Sequence, residues 1–241
     1  MIIAANLKMN LKRKDLQHYK ETLQTQLSLL NSVDAVIFPN MACLLDSSYF
    51  QDIPLTQGAQ NAYPAKNGAY TGEIGSEILE ELGIRTILIG HSERRELGDN
   101  QEFCLAKFTY YQELGFRIFY CIGEPLHIRK KGLSAVMDFL QTQISGIDLH
   151  YPSLVIAYEP IWAIGATQPA SIEEISATHL NLKNLFRNIN PTRDIPLLYG
   201  GSVKADNARE ISQINGVDGM LIGSGALNPQ NFLHIIKETL E

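Results

Sequence analysis

The sequence predicts a single (β/α)8 barrel over residues 1–241, and three observations carry the prediction. Eight short apolar runs alternate with longer segments of helical periodicity from end to end. The runs are nearly continuous in apolar residues, which marks a parallel sheet covered on both faces. The chain length suits eight such units, which take about 250 residues, and no shift in composition marks a linker. A doubly wound open sheet is the alternative. It expects a glycine-rich fingerprint after the first strand, and Ala5 to Leu11 holds no glycine.

The elements follow in order. A strand over 2–5 leads to a helix over 15–30, where Leu16, Tyr19, Leu23, Leu27 and Leu30 share one face. A second strand over 35–38 stops at Pro39; a short helix over 42–50 and a third strand over 55–59 follow. The segment 60–73, QNAYPAKNGAYTGE, is polar, long and glycine-bearing, as functional or interfacial loops are. A helix over 74–82 ends at Gly83, a natural C-cap, before the fourth strand over 86–89. A helix over 101–114 closes at Gly115, and the fifth strand covers 117–122. Helical patterns over 125–131 and 133–144 precede the sixth strand, 154–158. Ser171 is a plausible N-cap for the helix over 172–188, with Glu173 and Glu174 complementing the dipole in its first turn. Strand seven over 196–199, a helix over 206–214, strand eight over 219–222 and a last helix over 228–240, with Pro229 at its first position, complete the barrel.

Composition narrows the function classes. Net charge is −6 with no long run of one sign, which argues against a nucleic-acid or membrane-surface role, since both need a basic face. No stretch approaches the roughly 20 apolar residues that span a bilayer, and the N-terminus lacks the basic and apolar regions of a secretory signal. Cys43, Cys104 and Cys121 are few, odd in number and not spaced as metal ligands, as expected of reduced thiols in a cytoplasmic protein.

In such a barrel chemistry sits at the C-terminal ends of the strands. Read there, the sequence places Asn6 and Lys8 after strand one and Gln60 and Asn61 after strand three. Gly90-His91-Ser92-Glu93-Arg94-Arg95 follows strand four and Cys121-Ile122-Gly123-Glu124 ends strand five. Glu159 follows strand six, Gly200-Gly201-Ser202 strand seven, and Gly223-Ser224-Gly225 strand eight. The stretch from Leu154 to Gln168, LVIAYEPIWAIGATQ, is an apolar strand ending on a carboxylate and passing into an apolar loop with the only tryptophan, Trp162. Such a loop can close over the carboxylate and exclude water; the stretch alone leaves open an ordinary strand-end glutamate. The two glycine turns are where a barrel of this kind holds phosphate, although each alone is also a tight turn without a ligand. Lys8 is the cation of the same mouth, and His91 is the only one of the six histidines at a strand end.

One carboxylate, one imidazole, one ammonium and an anion cradle suit proton transfer beside a carbonyl. The carboxylate takes the proton from carbon, and the imidazole and ammonium polarise the carbonyl oxygen as the enediolate forms. A lid over 160–168 would protect such an enediolate from phosphate loss. This chemistry needs no metal.

Together these residues carry a resemblance. The motifs ANLKMN (5–10), GAQNAY (58–63), GAYTGE (68–73), IGHSERR (89–95), CIGE (121–124), YEPIWAIG (158–165), YGGSV (199–203) and DGMLIGSGAL (218–227) occur in the order and spacing of the triosephosphate isomerase family. The chain resembles that family over essentially its full length. The resemblance implies interconversion of dihydroxyacetone phosphate and D-glyceraldehyde 3-phosphate, in glycolysis and gluconeogenesis, without a cofactor. It matches Glu159 to the base, His91 to the neutral electrophile, Lys8 to the substrate-binding lysine and Asn6 to the asparagine beside it. Glu93 matches the partner of that lysine, and Cys121 a supporting residue. Gly165, Ser202, Gly223 and Ser224 fall where the family binds phosphate. The family is itself the standard illustration of a Glu base with a neutral His and a closing loop, so these roles come from the resemblance. It also implies a homodimer, with Thr71 at the loop tip that approaches the partner's site.

Four positions depart from the family pattern. Leu7 stands for a tryptophan, and a repacked site is expected. Asp99 stands for a glutamate, and is expected to meet Arg94 with a shorter reach. Pro169 follows Ala166-Thr167-Gln168 in place of the usual lid hinge, fixing its own φ and restricting Gln168. Ser224 replaces a glycine, and its amide can donate provided its φ is not positive. These departures motivate the competing reading of a barrel that binds a sugar phosphate or a protein without turning it over. Another phosphate-binding barrel, such as a Schiff-base aldolase, wants a mid-barrel lysine, and only Lys8 stands near a strand end.

Overall fold

The computed structural model describes residues 1–165 and 169–241. Strand β1 (Ile2–Asn6) is followed by helices α1 (Arg13–Gln24) and α2 (Leu27–Leu30), β2 (Asp34–Phe38) and β3 (Leu55–Gln57). Next come α3 (Ser76–Glu81), β4 (Thr86–Ile89), α4 (Ser92–Glu96), α5 (Gln101–Glu113), β5 (Arg117–Ile122), α6 (Leu126–Arg129) and α7 (Leu133–Ile144). The chain continues through β6 (Leu154–Tyr158), α8 (Ile172–Ile189), β7 (Leu197–Tyr199), α9 (Ala205–Ser212), β8 (Gly219–Ile222) and α10 (Pro229–Leu240).

The strands form one eight-stranded sheet in the order β3-β2-β1-β8-β7-β6-β5-β4, and its paired strands are parallel. The ends meet through a parallel bridge between Ala59 and Ile87: the Ala59 N–H donates to Thr86 at 2.9 Å and the Leu88 N–H to Ala59 at 2.9 Å. The expected (β/α)8 barrel is therefore the observed fold.

Alternation along each strand separates two cores, because successive side chains point to opposite faces. Ala4, Val36, Phe38, Phe119, Cys121, Ala157 and Leu198 fill the barrel interior, where the Phe38 and Phe119 rings meet edge to face at 5.3 Å. Ile3, Ala5, Ile37, Ile118, Tyr120, Ile156 and Tyr158 face outward against the helices. The amphipathic α8 answers with buried Ile175, Leu182 and Phe186; each such side chain contributes about 1.5–3 kcal/mol on burial. With the interior packed, a ligand reaches the strand ends from the mouth, where a cleft is open.

Local chemistry sets the ends. Ser171 caps α8, its Oγ accepting from the Glu174 N–H at 3.2 Å while the Glu174 carboxylate accepts from the Ser171 N–H at 2.9 Å. Pro229 opens α10 as expected. The helix read over 15–30 is broken after Gln24, where the Thr25 hydroxyl donates to the Thr22 carbonyl at 2.7 Å and Gln26 leaves the helical region. The helix read over 42–50 is two single-turn 3-10 segments, because Asn40 and Asp46 each accept from a backbone N–H two residues on. Helix α4 has too few turns for periodicity to reveal.

Candidate active site

The register sets the mouth. Ile122 pairs with Tyr158 and Tyr158 with Tyr199, so Glu159, one residue beyond β6, lies between Gly123 and Gly200. A Cβ on Gly200 would come within 2.8 Å of the Glu159 Cγ, so a glycine is what lets the β7 turn approach the carboxylate. Glu159 is 2% exposed. Its Oε2 accepts from the Ser92 N–H at 3.1 Å, and its Oε1 lies 3.1 Å from His91 Nε2. Burial raises its pKa above the ordinary carboxylate value, against the opposing pull of His91, the Ser92 amide and Lys8. The Cys121 thiol contacts the same carboxylate, and burial pushes its own pKa well up, so it stands as a neutral neighbour.

His91 is the N-cap of α4, and its Nδ1 accepts from the Glu93 N–H at 3.2 Å. With Nδ1 accepting, the neutral ring carries its proton on Nε2, the atom that faces Glu159. The ring cannot be an imidazolium and keep that bond, since both nitrogens would then be donors.

Lys8 adopts a left-handed backbone with φ 52°, a conformation that costs a non-glycine residue roughly 1–2 kcal/mol. Neighbours hold it there: its N–H donates to Asn6 Oδ1 at 3.1 Å, and its carbonyl accepts from Gln60 Nε2 at 2.8 Å. The bend turns Nζ into the mouth, 2.6 Å from the Glu93 carboxylate.

Asn6, Lys8, His91, Glu159, Gly165, Ser202, Gly223 and Ser224 all line one cleft of about 240 Å³. Every residue expected to touch substrate is thus gathered there. Glu93 lies on the far side of Lys8, in a second cavity of about 300 Å³. Thr71 is exposed and belongs to neither cavity.

Three departures have physical outcomes. Leu7 is fully buried in the core between barrel and helices. Asp99 reaches Arg94 Nη2 at 2.9 Å and also the buried Lys107 ammonium at 2.5 Å. Burial works to raise the Asp99 pKa, but these two cations outweigh it and hold the carboxyl below its usual value. Ser224 opens a 3-10 turn with no positive φ, so its amide remains a usable donor. The hinge read at Ala166-Thr167-Gln168 lies outside the described residues.

Sequence reasoning missed several groups. The Ser92 amide that holds Glu159 is invisible as a residue type. Glu124 is fully buried, and its Oε1 accepts from Trp162 Nε1 at 2.9 Å, from Arg129 Nε at 2.9 Å and from the Tyr158 hydroxyl at 3.1 Å. It therefore anchors the turn over Ile161–Ala163 that follows β6. Its place at the end of β5 was the available signal; Arg129 and Tyr158 gave none.

The family model described as triosephosphate isomerase matches residues 1–239. Among curated proteins, the chain is 50% identical over 241 residues to a triosephosphate isomerase of Wolinella succinogenes, covering 99% of this chain and 100% of that protein. It is 48% identical over 234 residues to that of Sulfurimonas denitrificans, covering 96% and 93%. The same name is carried by a relative from a Sulfurovum species, 49% identical with 98% and 99% covered.

Proposed function

We propose that this chain, which belongs to the triosephosphate isomerase family, interconverts dihydroxyacetone phosphate and D-glyceraldehyde 3-phosphate as a single-domain enzyme without a cofactor. The reaction belongs to glycolysis and gluconeogenesis. The observation that carries the proposal is the convergence of a buried carboxylate, a neutral Nε2–H imidazole and a lysine on one cleft floored by two glycine turns.

Glu159 leaves the Ser92 amide and takes a proton from the carbon beside the carbonyl. The C–H electron pair becomes the C=C of the enediolate, and the carbonyl π pair moves onto oxygen. His91 Nε2–H and Lys8 Nζ stabilise that oxygen. His91 passes a proton between the two oxygens, and Glu159 returns its proton to the neighbouring carbon. Its raised pKa makes it a stronger base than an exposed glutamate. The amides of Gly165, Ser202, Gly223 and Ser224 receive the phosphate, with Asn6 and Lys8 beside them. Glu93 orients Lys8 at 2.6 Å, and Cys121 packs against the base.

A coupled assay with D-glyceraldehyde 3-phosphate tests the reading. Wild type is expected to turn over, and Glu159→Gln to lose on the order of 10²–10⁴-fold or more in kcat with binding retained. Lys8→Ala is expected to lose both binding and rate. A wild-type chain that binds but does not isomerise would favour the non-catalytic barrel, and near-normal turnover by Glu159→Gln would remove it as the base.

The reading includes a homodimer. Its support is the cavity beside Lys8 and Glu93, edged by the largely exposed Met9 and Leu97, at 88% and 76%. That apolar rim would accept the Thr71 loop of a second copy. A cytoplasmic location completes the reading, supported by three buried free cysteines; among the described residues no helix is long and apolar enough to cross a membrane.

A further inference from the structure

His91 and Glu159 sit on different strands, yet their side chains must keep one separation. The two backbones that carry them are joined by a continuous polar path outside the barrel. Arg95 Nε donates to the carbonyl of Gly90, the residue before His91, at 2.7 Å. Its Nη2 donates to the Cys121 carbonyl at 3.2 Å, and its Nη1 to Gln101 Oε1 at 3.0 Å. Gln101 Nε2 donates to the Gln143 carbonyl at 2.6 Å. The buried Gln143 side chain then holds both sides of one residue: Gly123 N–H donates to its Oε1 at 2.8 Å, and its Nε2 donates to the Gly123 carbonyl at 3.2 Å.

Gly123 is the residue against which the base is set. A Cβ there would collide with the Glu159 carbonyl, and the Glu159 N–H donates to Ile122 at 2.7 Å. The next residue, Glu124, holds the start of the lid through its carbonyl, which accepts from the Ile161 N–H at 3.2 Å, and through Trp162. Neither glutamine touches the cleft.

We propose that Arg95, Gln101 and Gln143 form a brace that fixes the spacing of His91 and Glu159, with Gln143 the positioning residue that sets the end of β5 against the base. The inference rests on the isomerase reading. A paired amide that holds both the N–H and the C=O of a buried peptide leaves that peptide one place to sit. Misplacing a reacting group by about 1 Å can cost 10²-fold in rate. Among the described residues, the phosphate turns on β7 and β8 have no bond to this path, so a loosened brace acts on the chemical step and not on substrate capture.

The test compares wild type, Gln143→Met and Gln143→Glu by steady-state kinetics and pH profile. Gln143→Met removes both amide bonds at similar volume; Gln143→Glu keeps the acceptor for Gly123 N–H and loses the donor. Gln143→Met is expected to lower kcat on the order of 10-fold, with KM and the inhibition constant of inorganic phosphate within about twofold of wild type. The acid limb of kcat/KM is expected to move to lower pH as water reaches Glu159, and Gln143→Glu to fall between the two. Should Gln143→Met fail to fold, Gln143→Glu alone decides, by the same split between kcat and phosphate inhibition. Unchanged kcat and pH limb in a folded variant would overturn the brace, as would equal losses of kcat and phosphate affinity. Absence of turnover in wild type would instead overturn the isomerase reading.

Discussion

Glu159 is held where its charge is costly. Burial is the largest influence on it and raises its pKa from 4.5, so the fold favours the protonated form. Between 4.5 and the raised value the native state binds more protons than the unfolded chain, and stability therefore falls as pH rises through that window. The Tm difference between Glu159→Gln and wild type is expected to shift in favour of the variant as pH is raised across it. A difference independent of pH, measured by thermal melts from acid to neutral pH, would mean that the carboxylate is not strained by burial. The same substitution removes the proposed base, so the group that serves function is one that stability would replace. His91 shows the complementary device. A backbone N–H at the start of α4 occupies Nδ1, and the ring is thereby kept in the tautomer that points a proton at the cleft.

At the scale of elements, α8 carries a second buried titratable group with the opposite sign. His179 is fully buried against the Tyr158 and Tyr199 rings, with Nδ1 3.1 Å from the Gly216 carbonyl. Burial pushes its pKa from 6.5 to about 4, with Asp218 and Lys183 as the charged groups that act on it. The unfolded chain takes up a proton below 6.5 that the native state refuses. Stability from this group is therefore complete above 6.5 and is lost as pH falls towards 4, by on the order of 3 kcal/mol. His179→Gln is expected to flatten the acid side of the Tm profile over that range. An unchanged slope would place the acid sensitivity elsewhere. Glu124 serves the elements differently. It ties the end of β5, the end of β6 and α6 together through Trp162, Tyr158 and Arg129, so the loop after β6 begins from a fixed point.

For the whole molecule, the exposed apolar rim beside Lys8 is the feature that a lone barrel leaves unexplained. Met9 is 88% exposed only one residue from the strained Lys8. A second copy covering it would hold the loop that carries the lysine. Met9→Asp is expected to shift sedimentation from dimer towards monomer and to lower kcat at low protein concentration. A wild-type chain that sediments as a fully active monomer at micromolar concentration would remove the dimer from the reading.

The alternation of apolar runs and amphipathic segments determined a parallel sheet covered on both faces, because near-continuous runs such as Leu154–Tyr158 are buried in no other way; eight units and the lack of glycine in Ala5 to Leu11 then separated the barrel from an open doubly wound sheet. Strand-end position alone picked out Lys8, His91, Glu159 and the two glycine turns, since barrel topology delivers every such end to one mouth. Helix boundaries near Thr25 and in the segment around Asp46 were not legible, because side-chain bonds to nearby backbone decided them over apolar periodicity. The Ser92 amide, the closing bridge at Ala59 and the brace through Gln143 were decided by the tertiary structure alone. Each is a bond made by or to a backbone group between residues far apart in the chain, and a backbone N–H carries no residue type by which a sequence could announce it.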